Sequence, residues 1–283
     1  MGIIKSLTND KMALIGLIVI LIIVFLGIFA PYITPYAPDK VNLQQTLKPP
    51  DKDFLMGTDH LGRCIFTRIV YGIRLSLGVS FVVISIIFIL GVLIGTTAGY
   101  MGGKIDNLFM RLVDIILAFP GLVLAVGIAG ILGPSLINVM IALAAVNWVG
   151  YARIARGLVL SLREKEYVLA ARVSGSTHLK IIFRHILPNM ISPLIVLATL
   201  DMGAIILQIS GLSFLGLGAQ PPDPEWGAML NDGRFFFQRA PWLMLYPGLA
   251  ILIVVMAFNL LGDGLRDVLD PKFKKIISHK RVM

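Results

Sequence analysis

Charged residues are scarce in this chain of 283 residues. They make up 14% of the sequence, against about 25% in an ordinary soluble domain. Hydrophobic residues reach 57%, and the mean hydropathy is +0.87. A soluble fold cannot bury that much apolar surface, so the composition indicates an integral membrane protein and excludes disordered and collagen-like chains. In a membrane protein the positions of the charged residues relative to the bilayer matter more than the net charge of +9. No nucleic acid partner is therefore expected.

Cysteine and the common catalytic motifs are also lacking. Cys64 is the single cysteine, so no internal disulfide can form. The sequence contains no G-x-x-x-x-G-K-[ST] phosphate loop, no H-E-x-x-H, no G-x-S-x-G and no C-x-x-C. The nearest phosphate-loop match, residues 57–64, has Arg63 where lysine is required. The chain is therefore not predicted to be an enzyme, and neither a cofactor nor a metal site is predicted within it.

Long apolar runs divide the chain into six predicted transmembrane helices. A bilayer core requires about 20 apolar residues per helix. The third run is long enough for two helices, with Gly133 and Pro134 as the turn between them. No segment alternates with the period of a membrane barrel strand. The fold class is therefore predicted to be all-α, and the runs are 12–30, 75–103, 115–152, 188–218 and 241–262.

The predicted organisation has two parts. Residues 1–74 contain an uncleaved first helix, about 12–30, and an extracytoplasmic loop. Residues 75–283 form a core of five helices with a charged inner loop, 154–188. When the amino terminus is placed inside, the inner segments carry about twice as many Lys and Arg residues as the outer ones. Both termini are therefore predicted to lie in the cytoplasm.

The charged inner loop is the most informative segment. Ser161 is predicted to be a helix N-cap, with Glu164 completing a capping box. Gly175 then breaks the helix, and a second amphipathic piece, about 177–186, leads to a membrane helix at Pro188. The residues alone leave two interpretations open, a solvated basic loop or a docking surface for a cytoplasmic partner.

The same loop resembles the E-A-A-x3-G-x9-I-x-L-P signature of ABC importer permeases. Leu169 stands where the signature has Glu, and His185 where it has Ile. The matching residues are Ala170, Ala171, Gly175, Leu187 and Pro188.

Further segments over nearly the whole chain resemble the peptide/nickel branch of these permeases, and in particular the second of its two permease subunits. Cys64 departs from the pattern, which usually has Asp after GTDxLGR. The segments are GTDHLGR (57–63), LSFLGLG (212–218), PEWGAML (224–230) and AFNLLGDGLRDVLDP (257–271).

The resemblance implies a type I importer permease fold in the cytoplasmic, or inner, membrane. It also implies a second, homologous permease subunit, an extracytoplasmic binding protein and one or two cytoplasmic ATPase subunits, which would hold ATP and magnesium. The residues expected to couple this chain to the ATPase are Glu166, Ala170, Ala171, Arg172, Gly175, Leu187 and Pro188.

Asp201 is the only charged residue inside a predicted span. A carboxylate in the membrane is costly, which favours a functional role. Gln208 lies about two turns further on and shares its face, and Asn147 is expected to face the same interior. These three residues are the predicted translocation path, although a structural role for Asp201, hydrogen-bonded to a neighbouring helix, stays open.

The substrate is predicted less directly. Segments 194–203 and 147–175 resemble nickel-type permeases, whereas 218–227 is shared with peptide types. The sequence therefore favours nickel or a metal chelate, with di- or oligopeptides as the alternative. A secondary transporter is the third hypothesis. The sequence disfavours it, because no matched repeats are visible. The outer segment 219–240 is expected to be either a lid or binding-protein contact, or a structural hairpin.

Overall fold

The structure, a computed structural model, describes residues 10–269, which are almost entirely helical. Within this range no β-strand is present, and a single isolated bridge joins Thr58 to Cys64. The longer helices are α1 (Lys11–Ile28), α2 (Ile65–Met101), α3 (Gly103–Leu117), α4 (Gly121–Leu132), α5 (Leu136–Arg163), α6 (Glu166–Val173), α7 (Leu187–Phe214), α8 (Trp226–Gly233) and α9 (Trp242–Leu269). The short ones are Ala30–Ile33, Leu43–Gln45, His178–Ile181, Ile182–Ile186 and Arg234–Phe236.

Five helices of the described chain are long and apolar enough to cross a membrane: α1, α2, α5, α7 and α9. A sixth span is counted if α3 and α4 are taken together, although they meet at an angle of 87°. The all-helical prediction is confirmed, but the third predicted helix is broken. Pro120 follows the end of α3, and because proline has no N–H to continue the helical ladder, α4 restarts at Gly121 in a new direction.

Helix α2 begins at Ile65, about ten residues before the charge-free run that predicted it. Its first turns tolerate two arginines because carbonyl groups from other parts of the chain satisfy both. Arg68 donates to the carbonyls of Pro38, at 3.1 Å, and Pro222, at 3.2 Å. Arg74 donates to two carbonyls at the end of α1. The predicted division after residue 74 therefore falls inside a helix.

The turn of residues 57–63 positions the start of α2. Gly57 and Gly62 have φ angles of 76° and 71°, and a Cβ on either would lie within 2.6 Å of a backbone carbonyl oxygen. Both positions therefore require glycine. Cys64 is the N-cap residue of α2 but makes no capping hydrogen bond. An aspartate there would accept N–H groups of the first turn, so the cysteine leaves α2 without that cap.

Helices α2 and α5 pack backbone against backbone. A Cβ on Gly91 would lie 2.3 Å from Cβ of Tyr151, and one on Gly95 would lie 2.3 Å from the carbonyl oxygen of Ala152. Small residues allow this close approach in membrane helix pairs. The contact places Tyr151 directly against α2.

An ion-pair network joins the loop before α2 to α8. Asp59 and Arg63 are buried and pair at 2.6 Å, and Arg63 reaches Asp232 at 3.6 Å. Trp226 is also buried, and its indole N–H donates to the carbonyl of Ile69 on α2 at 3.1 Å. Most of segment 219–240 is therefore a packed structural unit.

The tip of the same segment has a different character. Phe235 and Phe237 are exposed, at 73% and 58%. The guanidinium of Arg234 lies over the ring of Phe235, 4.6 Å from its centroid. An exposed aromatic tip on a packed base is typical of a contact surface. The packed base fits the structural hairpin, and the lid or binding-protein contact stays a prediction for the tip.

Candidate functional site

The inner loop begins later than the sequence predicted. Helix α5 continues to Arg163, so residues 154–163 are helical and Ser161 lies inside the helix. The prediction that Ser161 caps a helix is therefore wrong. Val159 is fully buried within this extension, and its packing sustains α5 past the end of the apolar run. The next helix, α6, begins at Glu166 instead.

Gly175 ends α6, which confirms the predicted break. Its φ angle is +78°. The N–H of Ser176 donates to the carbonyl of Ala171 and that of Gly175 to Arg172, both at 3.1 Å. This is the Schellman pattern, in which the left-handed residue is usually glycine. A Cβ on Gly175 would meet nothing within 4 Å, so the backbone conformation, and not a packed neighbour, requires glycine there.

One side of the segment from α6 to the start of α7 packs against the helical bundle. Val168, Ile181 and Ile186 are fully buried in the main hydrophobic core. The hydroxyl of Tyr100, near the end of α2, lies 2.9 Å from Nδ1 of His178. The segment is therefore attached both to the bundle and to the end of a membrane-spanning helix.

On the side that is not packed against the bundle, the segment exposes apolar side chains. Val173 is 89% exposed and Leu179 68%, and Leu169 and Phe183 are exposed as well. Exposed apolar side chains in one short segment make it a candidate contact surface. Of the predicted coupling residues, Ala171 and Leu187 are half-buried, and the exposed ones are Glu166, Ala170, Arg172, Gly175 and Pro188. The sequence reasoning missed Val173 and Leu179. They could have been found as apolar residues at helical positions that face away from the core.

A π-helical turn, Ile182–Ile186, joins the short helix His178–Ile181 directly to α7. The predicted second piece and the following membrane helix are therefore continuous. Pro188 is the second residue of α7, directly after the π-helical turn, and it has no N–H to donate to a carbonyl one turn earlier. Single π-helical turns within α-helices occur frequently at functional positions.

A cavity of about 190 Å³ lies between α2, α5 and α7. Its walls are mainly apolar, with one carboxylate, one phenol and two amides among them. The polar lining residues are Asn147, Tyr151, Asp201 and Gln208, and the others are Ile84, Ile87, Gly150, Ile154, Leu197, Ala204 and Ile205.

The four polar groups form two pairs across α5 and α7. The hydroxyl of Tyr151 donates to Oδ2 of Asp201 at 2.7 Å, and Nδ2 of Asn147 donates to Oε1 of Gln208 at 3.1 Å. The structure thus brings together the three residues predicted for the translocation path. It adds Tyr151, which the sequence reasoning missed although it lies one helical turn beyond Asn147.

Both pairs lie deep within the spans. Asn147 is about 16 Å along α5 from its start, and Asp201 about 21 Å along α7, at 1.5 Å per residue. The side chains of Asn147, Asp201 and Gln208 are half-buried, so the cavity opens on the flank of the chain. Polar groups open to lipid at this depth would be costly. This flank therefore suits a partner subunit or an aqueous pathway.

Comparison with known families gives two matches. Residues 91–275 match the family described as binding-protein-dependent transport system inner membrane component. Residues 2–50 match the N-terminal transmembrane domain of oligopeptide transport permease C.

Two kinds of relative are similar over almost the full chain. The dipeptide transport system permease protein DppC of Alkalihalophilus pseudofirmus is 50% identical over 270 residues, covering 95% of this chain and 89% of the relative. The nickel transport system permease protein NikC of Escherichia coli K12 is 44% identical over 257 residues, covering 91% and 93%.

Among solved structures, the chain is similar to one of the inward-facing MetNI methionine ABC transporter. The TM-score is 0.54 and the sequence identity 20%, over 73% of this chain and 98% of the other. At this identity the likeness concerns the fold, which is that of an ABC importer permease.

Proposed function

Because the chain belongs to the binding-protein-dependent transport system inner membrane component family, we propose that it is a permease subunit of an ATP-driven importer of di- or oligopeptides. Membership makes it a multi-pass inner membrane permease component of an ABC transporter. The proposal adds the substrate, the partners and the orientation.

The observation that carries the substrate proposal is the relative named as a dipeptide permease, half identical over 95% of the chain. Nickel is the second candidate. A relative named as a nickel permease is 44% identical, segments 194–203 and 147–175 resemble nickel-type permeases, and Asp201 offers a carboxylate in the cavity. Peptide import takes precedence because the identity to the peptide relative is higher.

We propose that ATP and magnesium bind to separate cytoplasmic subunits, which dock on the exposed side of the segment from α6 to the start of α7. Val173, Leu179 and Phe183 supply apolar contact area there, and Glu166 and Arg172 supply polar contacts. A second, homologous permease would cover the open flank of the cavity. The exposed aromatic tip around Phe235 would meet the extracytoplasmic binding protein.

The internal contacts provide a route for coupling. A displacement of α6 would pass through the contact between Tyr100 and His178 to α2. It would also pass through the π-helical turn to α7, which carries Asp201. The inner segment and the cavity would then respond together when the ATPase subunits close.

We expect a strain lacking this chain to lose uptake of a labelled dipeptide and to regain it when the gene is restored. Radioactive nickel supplied in a parallel arm tests the second candidate. A strain that carries the Gly95→Leu variant, whose folding is expected to fail, serves as the matched negative control.

Loss of dipeptide uptake alone would support the proposal. Loss of nickel uptake alone would replace it with nickel import, and uptake of both substrates at the level of the parent strain would refute both candidates.

The orientation leads to a separate prediction. The two chain ends lie outside the residues that the structure describes, and the excess of Lys and Arg in the inner segments predicts that both face the cytoplasm. We expect a reporter fused after Met283 to report a cytoplasmic position. A reporter placed after Phe237 should report the outside, and the reversed pair of signals would overturn the predicted topology.

A further inference from the structure

We propose that Asp201 and Tyr151 form a transient binding station for the positively charged amino terminus of a peptide in transit. The inference rests on the proposed peptide importer function. It assigns a recognition role to the permease itself, in addition to any selection made by the binding protein.

The carboxylate of Asp201 has capacity for a cationic ligand. Its Oδ2 accepts the hydroxyl hydrogen of Tyr151 at 2.7 Å. Within residues 10–269, Oδ1 accepts no hydrogen bond, and no Lys, Arg or His side chain pairs with this carboxylate. A half-buried carboxylate at this depth is costly when it is left without a cation. A passing ammonium group would relieve that cost.

Tyr151 gives the station its geometry. The ring is buried, with 3% exposed, beside the close contact of α2 and α5, and its hydroxyl holds one carboxylate oxygen of Asp201. The phenolic oxygen keeps a lone pair that can accept a second hydrogen bond. An ammonium group, which has three donors, can therefore bind Oδ1 of Asp201 and the oxygen of Tyr151 together.

The amide groups of Asn147 and Gln208 can bind the peptide bond that follows the amino terminus. Nδ2 of Asn147 donates to the carbonyl of Leu143 at 2.9 Å and to Oε1 of Gln208 at 3.1 Å. This leaves the oxygen of Asn147 as an acceptor and the nitrogen of Gln208 as a donor. A peptide group needs one of each.

The spacing of the two pairs suits a short peptide. Asn147 and Tyr151 are one turn apart, about 6 Å along α5. Two extended residues span about 7 Å. An amino terminus at Asp201 would therefore place the remainder of a dipeptide beside Asn147 and Gln208. With few groups in contact, the binding would be weak enough to permit release, as conduction requires.

The test uses the complete importer, with its partner subunits and binding protein, in proteoliposomes. The variants are Asp201→Asn, Asp201→Glu and Tyr151→Phe. Thr199→Val is the matched control, since Thr199 lies on the same helix outside the cavity and its hydroxyl bonds only to the carbonyl of Ile195. The readout is the number of labelled dipeptides imported per ATP hydrolysed.

Asp201→Asn should lower this ratio about tenfold, as expected for the loss of a charged hydrogen bond, and Tyr151→Phe about threefold. Asp201→Glu should recover most of the ratio, and Thr199→Val should match the parent. An N-acetylated dipeptide, loaded on the binding protein to equal occupancy, carries no ammonium. It should be imported equally by the parent and by Asp201→Asn.

Two results would overturn the inference. They are an unchanged ratio in Asp201→Asn and an equal loss for the free and acetylated peptides. A parent complex that imports no dipeptide would instead refute the proposed function. A parent that imports it while Asp201→Asn does so equally well would refute only the station.

Discussion

Replacement of Gly95 by leucine is expected to abolish assembly and transport. A Cβ at this position would lie 2.3 Å from the carbonyl oxygen of Ala152 and 2.8 Å from Cβ of Ala155. A carbonyl on the facing helix cannot move aside alone, so α2 and α5 would have to separate along their length. Because this contact also positions Tyr151, the cavity would be lost with it.

Gly78→Leu is the matched control for that variant. Gly78 lies on the same helix, and a Cβ there would meet nothing within 4 Å. We expect Gly78→Leu to accumulate and transport as the parent does, while Gly95→Leu shows at least about tenfold less assembled complex, as for severe overpacking of a core. The measurement is the amount of complex purified from membranes through a tag on the ATPase subunit. Equal amounts from both variants would contradict the packing argument.

Gly175→Val is expected to uncouple ATP hydrolysis from uptake. Gly175 has a φ angle of +78°. An L-residue in that region loses about 1–2 kcal/mol, and a β-branched residue is an outlier there. The chain would leave the left-handed conformation, and the angle between α6 and the start of α7 would change. We expect transport to fall about tenfold or more, as for a 1.4 kcal/mol or larger perturbation of docking.

Two substitutions at the same position separate backbone from surface. Asparagine adopts the left-handed conformation with little cost, so Gly175→Asn should retain most of the transport. Aspartate tolerates the same backbone but adds a negative charge where no neighbour lies within 4 Å. Loss of transport in Gly175→Asp with retention in Gly175→Asn would locate the ATPase contact at this residue. Retention in all three variants would refute the coupling role.

The sequence was informative for several properties that depend on neighbouring residues in the chain, although it missed the break at Pro120. The apolar runs predicted the membrane helices, because bilayer thickness sets their length. The glycine between two amphipathic pieces predicted the break at Gly175, since the residue itself permits positive φ.

Predictions failed where distant segments decide the outcome. Ser161 has the residue type of an N-cap, but packing of Val159 carries α5 past it. Arg68 and Arg74 interrupt the apolar run, yet α2 includes both, because carbonyl groups from separate loops and from α1 accept their hydrogen bonds. No local pattern contains those acceptors.

The candidate site divides in the same way. The sequence by itself determined that Asp201 lies within a membrane span, because the apolar run around it is long enough to cross a bilayer. It also determined that Gln208 shares the face of Asp201, because seven residues are about two helical turns. Only the tertiary structure decided that Tyr151 orients Asp201, that Asn147 bonds to Gln208, and that the cavity opens on the flank. Those relations depend on how α5 packs against α7 and α2, and this packing joins residues that lie far apart in the chain.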